Sequence, residues 1–161
     1  MASRLPTRSH GFTLIELVVV IVLMGILGAI AASRMLTSQG FASRGFYDEA
    51  QAVVRYAQKT AIAWRRSIVV CIETDKVSAI SNSDCATPTY VPHPVNPANP
   101  LKTTTAPSGV TLSPTGSFSF DGQGRPSPNT GTTITVNSTN ADDPARQIIV
   151  AAETGYVSRG P

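Results

Sequence analysis

The chain has 161 residues and a formal net charge of +3, with only 14% of residues charged. That length suits one domain with appendages. Once Arg4 and Arg8 near the start are set aside, 11 basic residues face 10 acidic ones, so the basic balance is weak evidence for a nucleic-acid partner. Ser, Thr, Gly, Pro and Asn crowd the second half, a composition that suits an exported, loop-rich β domain better than a cytosolic enzyme.

The first element is an apolar run. From Phe12 to Ala32 only Thr13 and Glu16 depart from apolar or small residues. As a helix these residues rise roughly 31 Å, enough to cross a bilayer. Arg4 and Arg8 precede the run and Arg34 follows it. The positive-inside rule then leaves the leader in the cytoplasm and sends the rest outward. Three readings compete: a cleaved secretory signal with Ala29-Ile30-Ala31 as peptidase site, a plain signal anchor, and a specialised leader marked by GFTLIE. The run is long for the first and carries a carboxylate near its beginning, which fits that reading poorly; a charge in the bilayer costs about 3 kcal/mol on insertion scales.

Gly11-Phe12-Thr13-Leu14-Ile15-Glu16, after a short basic leader and before LVVVIVLMGILGAIA, resembles the class III signal of type IV pilins and type II secretion pseudopilins. The resemblance implies cleavage between Gly11 and Phe12 by a prepilin peptidase and N-methylation of Phe12. It also implies that Glu16 sets the assembly register, pairing with the Phe12 amine of a neighbouring subunit so that the pair offsets the cost of a carboxylate in lipid. Many pilins carry a proline shortly after the run; this chain reads Ala32-Ser33-Arg34 there, so helix unwinding at that point is not expected.

After a loose stretch, TSQGFASRG, the spacing of Phe46, Ala50, Val53, Val54, Ala57, Ala61 and Trp64 predicts an amphipathic helix that covers a sheet. Asp48 and Glu49 are expected in its first turn and Arg65-Arg66 at its end, complementing the macrodipole. SIVVCIET and KVSAIS around Thr74-Asp75 predict a hairpin. The proline-rich residues 86–108 predict a loop. GVTLS, GSFSF, TTITV and RQIIVAA complete about six short strands, with turns at Asp121-Gly122 and Thr154-Gly155. Cys71 and Cys85 either close a disulfide in an oxidising compartment or leave a buried thiol at Cys71.

Stretches of this half (GFYDEAQAVVRYAQKTAIAWRRSIVVCI, SFSFDGQGRPSP and RQIIVAAETGYVS) resemble the GspH/FimT group of minor pseudopilins; Gly45 to Ala63 resembles the minor pilin of mannose-sensitive haemagglutinin-type systems. The expected fold is therefore α+β and pilin-like: a long N-terminal α-helix, its first half transmembrane, on a C-terminal antiparallel β-sheet domain. The divisions are a leader at 1–11, a transmembrane and assembly helix at 12–32, an amphipathic continuation at 33–66 and a periplasmic β domain at 67–161.

Catalysis finds little support. His10 lies in the leader and His93 in the proline-rich loop, so a nucleophile–histidine arrangement would rest on one loop histidine. Asp84 and Asp142-Asp143 lack calcium or zinc spacing. No cofactor, metal or enzymatic activity is expected. The expected partners are other pilins or pseudopilins, the prepilin peptidase, the inner-membrane assembly platform and the lipid bilayer. The expected location is the bacterial inner membrane with the C-terminal domain in the periplasm, then a filament. The alternatives are a signal-anchored periplasmic protein of another activity, and DNA uptake. For uptake, the resemblance to FimT-type relatives points to Arg146, Tyr156 and Arg159 as candidate contacts, with a tyrosine at the first basic position of the relatives' motif. Trp64-Arg65-Arg66 reads first as a helix terminus.

Overall fold

In a computed structural model, residues 12–35 and 38–160 are described, without the side chains of 30–39. The chain divides into two compact units, Met1–Ser38 and Gln39–Pro161. The elements of the first unit reduce to α1, Leu14–Met35. The second opens with α2, Ser38–Trp64, followed by eight strands. Among the described residues no helix is long and apolar enough to cross a membrane. The part of α1 with described side chains ends at Ala29; from Leu14 it rises about 24 Å, short of the roughly 30 Å of a hydrocarbon core.

The loose stretch predicted at 37–45 is instead helical from Ser38. Gly40 and Gly45 each cost about 1 kcal/mol of helix propensity. The start of α2 is held by tertiary contacts that the local sequence does not announce, because Ser43, Phe46 and Tyr47 are all buried. The longer helix moves Asp48 and Glu49 out of the first turn, so they are not dipole partners. Asp48 instead pairs with Arg159 at 3.0 Å, and Glu49 accepts the Thr104 backbone N–H and hydroxyl, both at 2.8 Å.

The far end of α2 stops at Trp64. Arg65 takes φ 51°, its N–H donates to the Ile62 carbonyl at 3.3 Å, and the Arg66 N–H donates to the Ala61 carbonyl at 3.2 Å. This is the Schellman arrangement, with a left-handed residue just past the helix. Arg65 and Arg66 thus lie outside the helix that they were expected to end. Trp64 is 43% exposed rather than core, with the Arg66 guanidinium 4.6 Å from its ring.

Two four-stranded antiparallel sheets follow, in the orders β2-β1-β4-β5 and β3-β6-β7-β8. The predicted hairpin is β1 (Ile68–Ile72) with β2 (Val77–Ile80), in register Val69 to Ile80. β3 (Val110–Ser113), β4 (Gly116–Phe120), β6 (Thr132–Ser138) and β7 (Arg146–Val150) are the other expected strands. The expected six become eight by adding β5 (Pro126–Ser127) and β8 (Val157–Arg159), too short to show a periodicity of two. One core joins both sheets to α2 through Val54, Ala57, Ile68, Phe120, Ile134 and Ile148, each fully buried. Each such aliphatic or aromatic side chain contributes roughly 1.5–3 kcal/mol of burial.

Residues 86–108 form no named strand, since their prolines lack the donors a ladder needs. They still follow the outer edge of β2. Val91 N–H donates to the Ala79 carbonyl and Ala79 N–H to that of Leu101, both at 2.9 Å. Val91 and Leu101 are buried there. The segment thereby covers an edge that would otherwise be open to pairing with another chain. A disulfide from Cys71 in β1 to Cys85 secures its start, with a Cα–Cα distance of 5.9 Å.

Candidate functional site

Two places collect the residues singled out in the sequence. The first is the N-terminus of α1. Gly11 lies outside the described residues; Phe12 is 79% exposed. Thr13 caps the helix: its Oγ1 accepts the Glu16 N–H at 3.3 Å, and its carbonyl accepts the Leu17 N–H at 3.2 Å. Thr13-Leu14-Ile15-Glu16 is thus a Ser/Thr-x-x-Glu capping pattern, a local signal that the sequence carries beside the charge of Glu16. Glu16 falls in the first turn, where the helix dipole favours a carboxylate. Around it the apolar side chains are open on every side, from Leu14 at 80% to Val20 at 39%. A helix apolar all round is built for burial in other helices or in lipid.

The second place lies between the start of α2 and the last two strands. Ser43 donates its hydroxyl to the Asp143 carboxylate. The Arg146 guanidinium donates to Asp143 Oδ1 at 2.6 Å and to Ser43 Oγ at 3.1 Å. Asp143 is buried. Burial pushes its carboxyl up, but the hydrogen bonds of Arg146 and Ser43 outweigh that and hold it below its ordinary value. Breaking such a buried pair by removing one partner costs about 3–5 kcal/mol. Beside it, the buried Tyr47 donates its hydroxyl to the Gln147 carbonyl at 3.0 Å. Burial raises this hydroxyl above its ordinary value despite the nearby Arg159, so it stays a protonated donor.

Further along α2, Arg55 donates to the Val157 carbonyl through Nε at 3.2 Å and Nη2 at 3.1 Å. Gln58 Nε2 donates to the carbonyls of Gly124 at 2.9 Å and Thr154 at 3.2 Å. The helix therefore grips the C-terminal strands through polar side chains as well as through the core. Gly155, at φ 66°, fits here because a Cβ would collide with the Gly124 carbonyl oxygen and come within 2.8 Å of the Gln58 amide.

Of the three candidate contacts for DNA, Arg146 and Arg159 line one cleft of about 420 Å³ with Arg44, Tyr47, Asp48 and Gly160. Tyr156 is 65% exposed but is not part of that lining. Arg44 joins the cluster from a position about 100 residues earlier, which no spacing rule could have found. His93 does not approach a nucleophile pair; its Nδ1 accepts the Val95 N–H of its own loop at 3.2 Å. Among the described residues no three His, Cys, Asp or Glu side chains are grouped to hold a metal.

Comparisons with known proteins separate the same two regions. The prokaryotic N-terminal methylation motif matches residues 6–32. The type IV narrow pilus major component PilA5 of Thermus thermophilus is 42% identical over 64 residues, which cover 40% of this chain and 55% of that protein. The chain thus spans about half the length of this curated relative. The minor pilin FimU of Pseudomonas aeruginosa superposes with a TM-score of 0.55 at 18% identity, over 82% of this chain and 92% of FimU. The minor pseudopilin EpsH from the type 2 secretion system of Vibrio cholerae gives 0.50 at 14% identity, over 74% and 94%. At such identities the likeness speaks for the fold, which is pilin-like. The model of type II transport protein GspH matches residues 48–155, more than half of the chain. The chain belongs to the GspH family of type II transport proteins.

Proposed function

We propose that this chain is a minor pilin or pseudopilin, a structural subunit for the tip or priming complex of an envelope filament, and that its mechanism is assembly rather than turnover. The observation that carries the reading is α1, a helix open and apolar on every side, with one carboxylate in its first turn, inside a methylation motif. Prepilin peptidase cuts between Gly11 and Phe12, and Phe12 is N-methylated. Residues 12–32 anchor the precursor in the inner membrane with the β domain in the periplasm. The amphipathic helix α2 and the β domain at 67–161 form the part that meets neighbours. The FimU and EpsH likeness supports this assignment.

Cutting at the start of the apolar run keeps the helix intact and places a new ammonium one turn from Glu16. In a filament Glu16 meets the Phe12 amine of an adjacent pilin. Apolar helices slide past one another at little cost, and one charge pair fixes their axial offset. Pilins, the assembly platform and the bilayer are the partners that this mechanism needs.

Intact-mass measurement on protein from its native host is expected to find a chain beginning at N-methyl-Phe12; a mature chain beginning at Met1 or after Ala31 overturns the processing. Glu16→Gln is expected to leave processing intact and to lower incorporation into filaments by about tenfold, the effect of one pair worth roughly 1.4 kcal/mol. Wild-type incorporation of Glu16→Gln removes the register role.

A further inference from the structure

The cleft between α2 and the C-terminal strands gathers three guanidinium groups, from Arg44, Arg146 and Arg159. Two carboxylates stand against them, Asp143 on Arg146 and Asp48 on Arg159. Among the described side chains of the cluster, three positive charges face two negative ones, an excess of one. Its volume, about 420 Å³, lies within the range of small-ligand sites, roughly 300–1,000 Å³.

The three arginines are held differently. Arg146 is fixed by Asp143 and Ser43, which engage two of its N–H groups; a guanidinium has five. Its side chain is 19% exposed. It is a preorganised donor, so little ordering remains to be done when a ligand arrives. Arg159 and Asp48 are 67% and 59% exposed. An ion pair that open to water contributes little, so Arg159 can exchange Asp48 for another oxyanion at small cost. Arg44 is exposed. Planar guanidinium groups match the paired oxygens of a phosphate, and three of them exceed what one further carboxylate would need.

We propose that this cleft binds the phosphodiester of an anionic lipid headgroup at the outer face of the membrane from which the chain emerges. The assignment of the lipid as the source rests on reading residues 12–32 as the anchor. Arg44 follows Ala32, the last residue of that anchor, by only 12 positions in the chain. The excess of one positive charge matches a monoanionic phosphodiester better than a dianionic free phosphate. A nucleic acid would instead call for a track of basic and aromatic residues leading away from the cleft. Tyr156, the aromatic nearest in sequence to Arg159 and an exposed one, is not part of the lining. Bound to a headgroup, the domain is held at the membrane surface before it enters a filament, and extraction from the membrane breaks that contact.

The test uses residues 39–161, which contain the whole core from Phe46 to Val157 and the disulfide, so their fold does not depend on α1. Without α1 the outcome is independent of whether the anchor and cleavage readings stand. The fragment is titrated with vesicles of phosphatidylglycerol and phosphatidylcholine, with pure phosphatidylcholine vesicles, with inorganic phosphate and with a DNA oligonucleotide. Expected is binding to the phosphatidylglycerol vesicles only, weakened about fivefold by Arg44→Ala or Arg159→Ala singly, since each arginine near an anionic surface is worth about 1 kcal/mol. Arg146 is left in place, because removing it strands Asp143 in the core. Equal binding to phosphatidylcholine, binding unchanged in the Arg44→Ala, Arg159→Ala double variant, phosphate binding without vesicle binding, or tighter binding to DNA each overturns the assignment.

Discussion

α1 and the α2–sheet unit place their apolar residues in opposite ways. In α1 they face outward all round the helix, and Leu17 is 59% exposed. In the second unit, Phe120 is fully buried and meets Phe118 edge-on at 5.3 Å between ring centroids. The same hydrophobic effect closes the second unit on itself, whereas in α1 the apolar side chains stay open. Truncating one large apolar residue in each region sets the two against each other. Phe120→Ala is expected to cost about 3–5 kcal/mol. It should lower the melting temperature of the domain by more than about 10 °C in calorimetry. Leu17→Ala in the detergent-solubilised full chain is expected to leave that transition where it is. A comparable shift from Leu17→Ala would show that α1 is part of the domain's own core.

The contrast also explains what could be read from the sequence. The long apolar run, the amphipathic face of α2 and the hairpin around Thr74-Asp75 were legible because each is a local periodicity. The first two turns of α2 were not, since Gly40 and Gly45 weaken the helical signal while the contacts that hold the turns lie near residues 143–147, a hundred positions away. Asp48 and Glu49 lie beyond the first turn for the same reason: the helix starts earlier than the local pattern shows. β5 and β8 escaped notice because two or three residues cannot show alternation; what places them is pairing with β4 and β7. At the candidate sites, Glu16 stood out as a charge in an apolar run and Arg146 and Arg159 as basic residues near the end. The Thr13 cap has a local signature, Thr-x-x-Glu, whereas the meeting of Arg44 with Arg159 is a product of tertiary structure alone.

Within the second unit a smaller contrast exists between the strands and the proline-rich segment along β2. The segment pairs through isolated bridges rather than continuous strands, Ile80 with Tyr90 and Ser78 with Lys102, and is held as well by burial of Val91 and Leu101 and by the Cys71–Cys85 link. Closing a loop of this size stabilises a fold by about 3 kcal/mol in the chain-entropy model. Replacing both cysteines by alanine is expected to cost about 2–4 kcal/mol in urea titrations of residues 39–161. Amide exchange should rise most at Val91 and Leu101 and least at Ile148 in β7. Uniform acceleration across both sheets would mean that the link stabilises the whole unit rather than the segment.

The smallest effect concerns the end of α2. Arg65 holds the left-handed conformation that closes the helix, at φ 51°, and is exposed. A side chain in that conformation costs roughly 1–2 kcal/mol, whereas glycine adopts it freely but gives up about 0.5–1 kcal/mol of backbone entropy on folding. Arg65→Gly is therefore expected to stabilise residues 39–161 by about 0.5 kcal/mol, a rise of a few degrees in melting temperature. The neighbouring turn gives the control. A Cβ on Gly122 would come within 2.8 Å of the Arg65 carbonyl carbon, so Gly122→Ala should destabilise by about 1–3 kcal/mol through overpacking against the backbone. If Arg65→Gly lowers the melting temperature instead, the arginine side chain contributes more to the helix end than its conformation costs, and the guanidinium pair at 65–66 would have a role beyond capping.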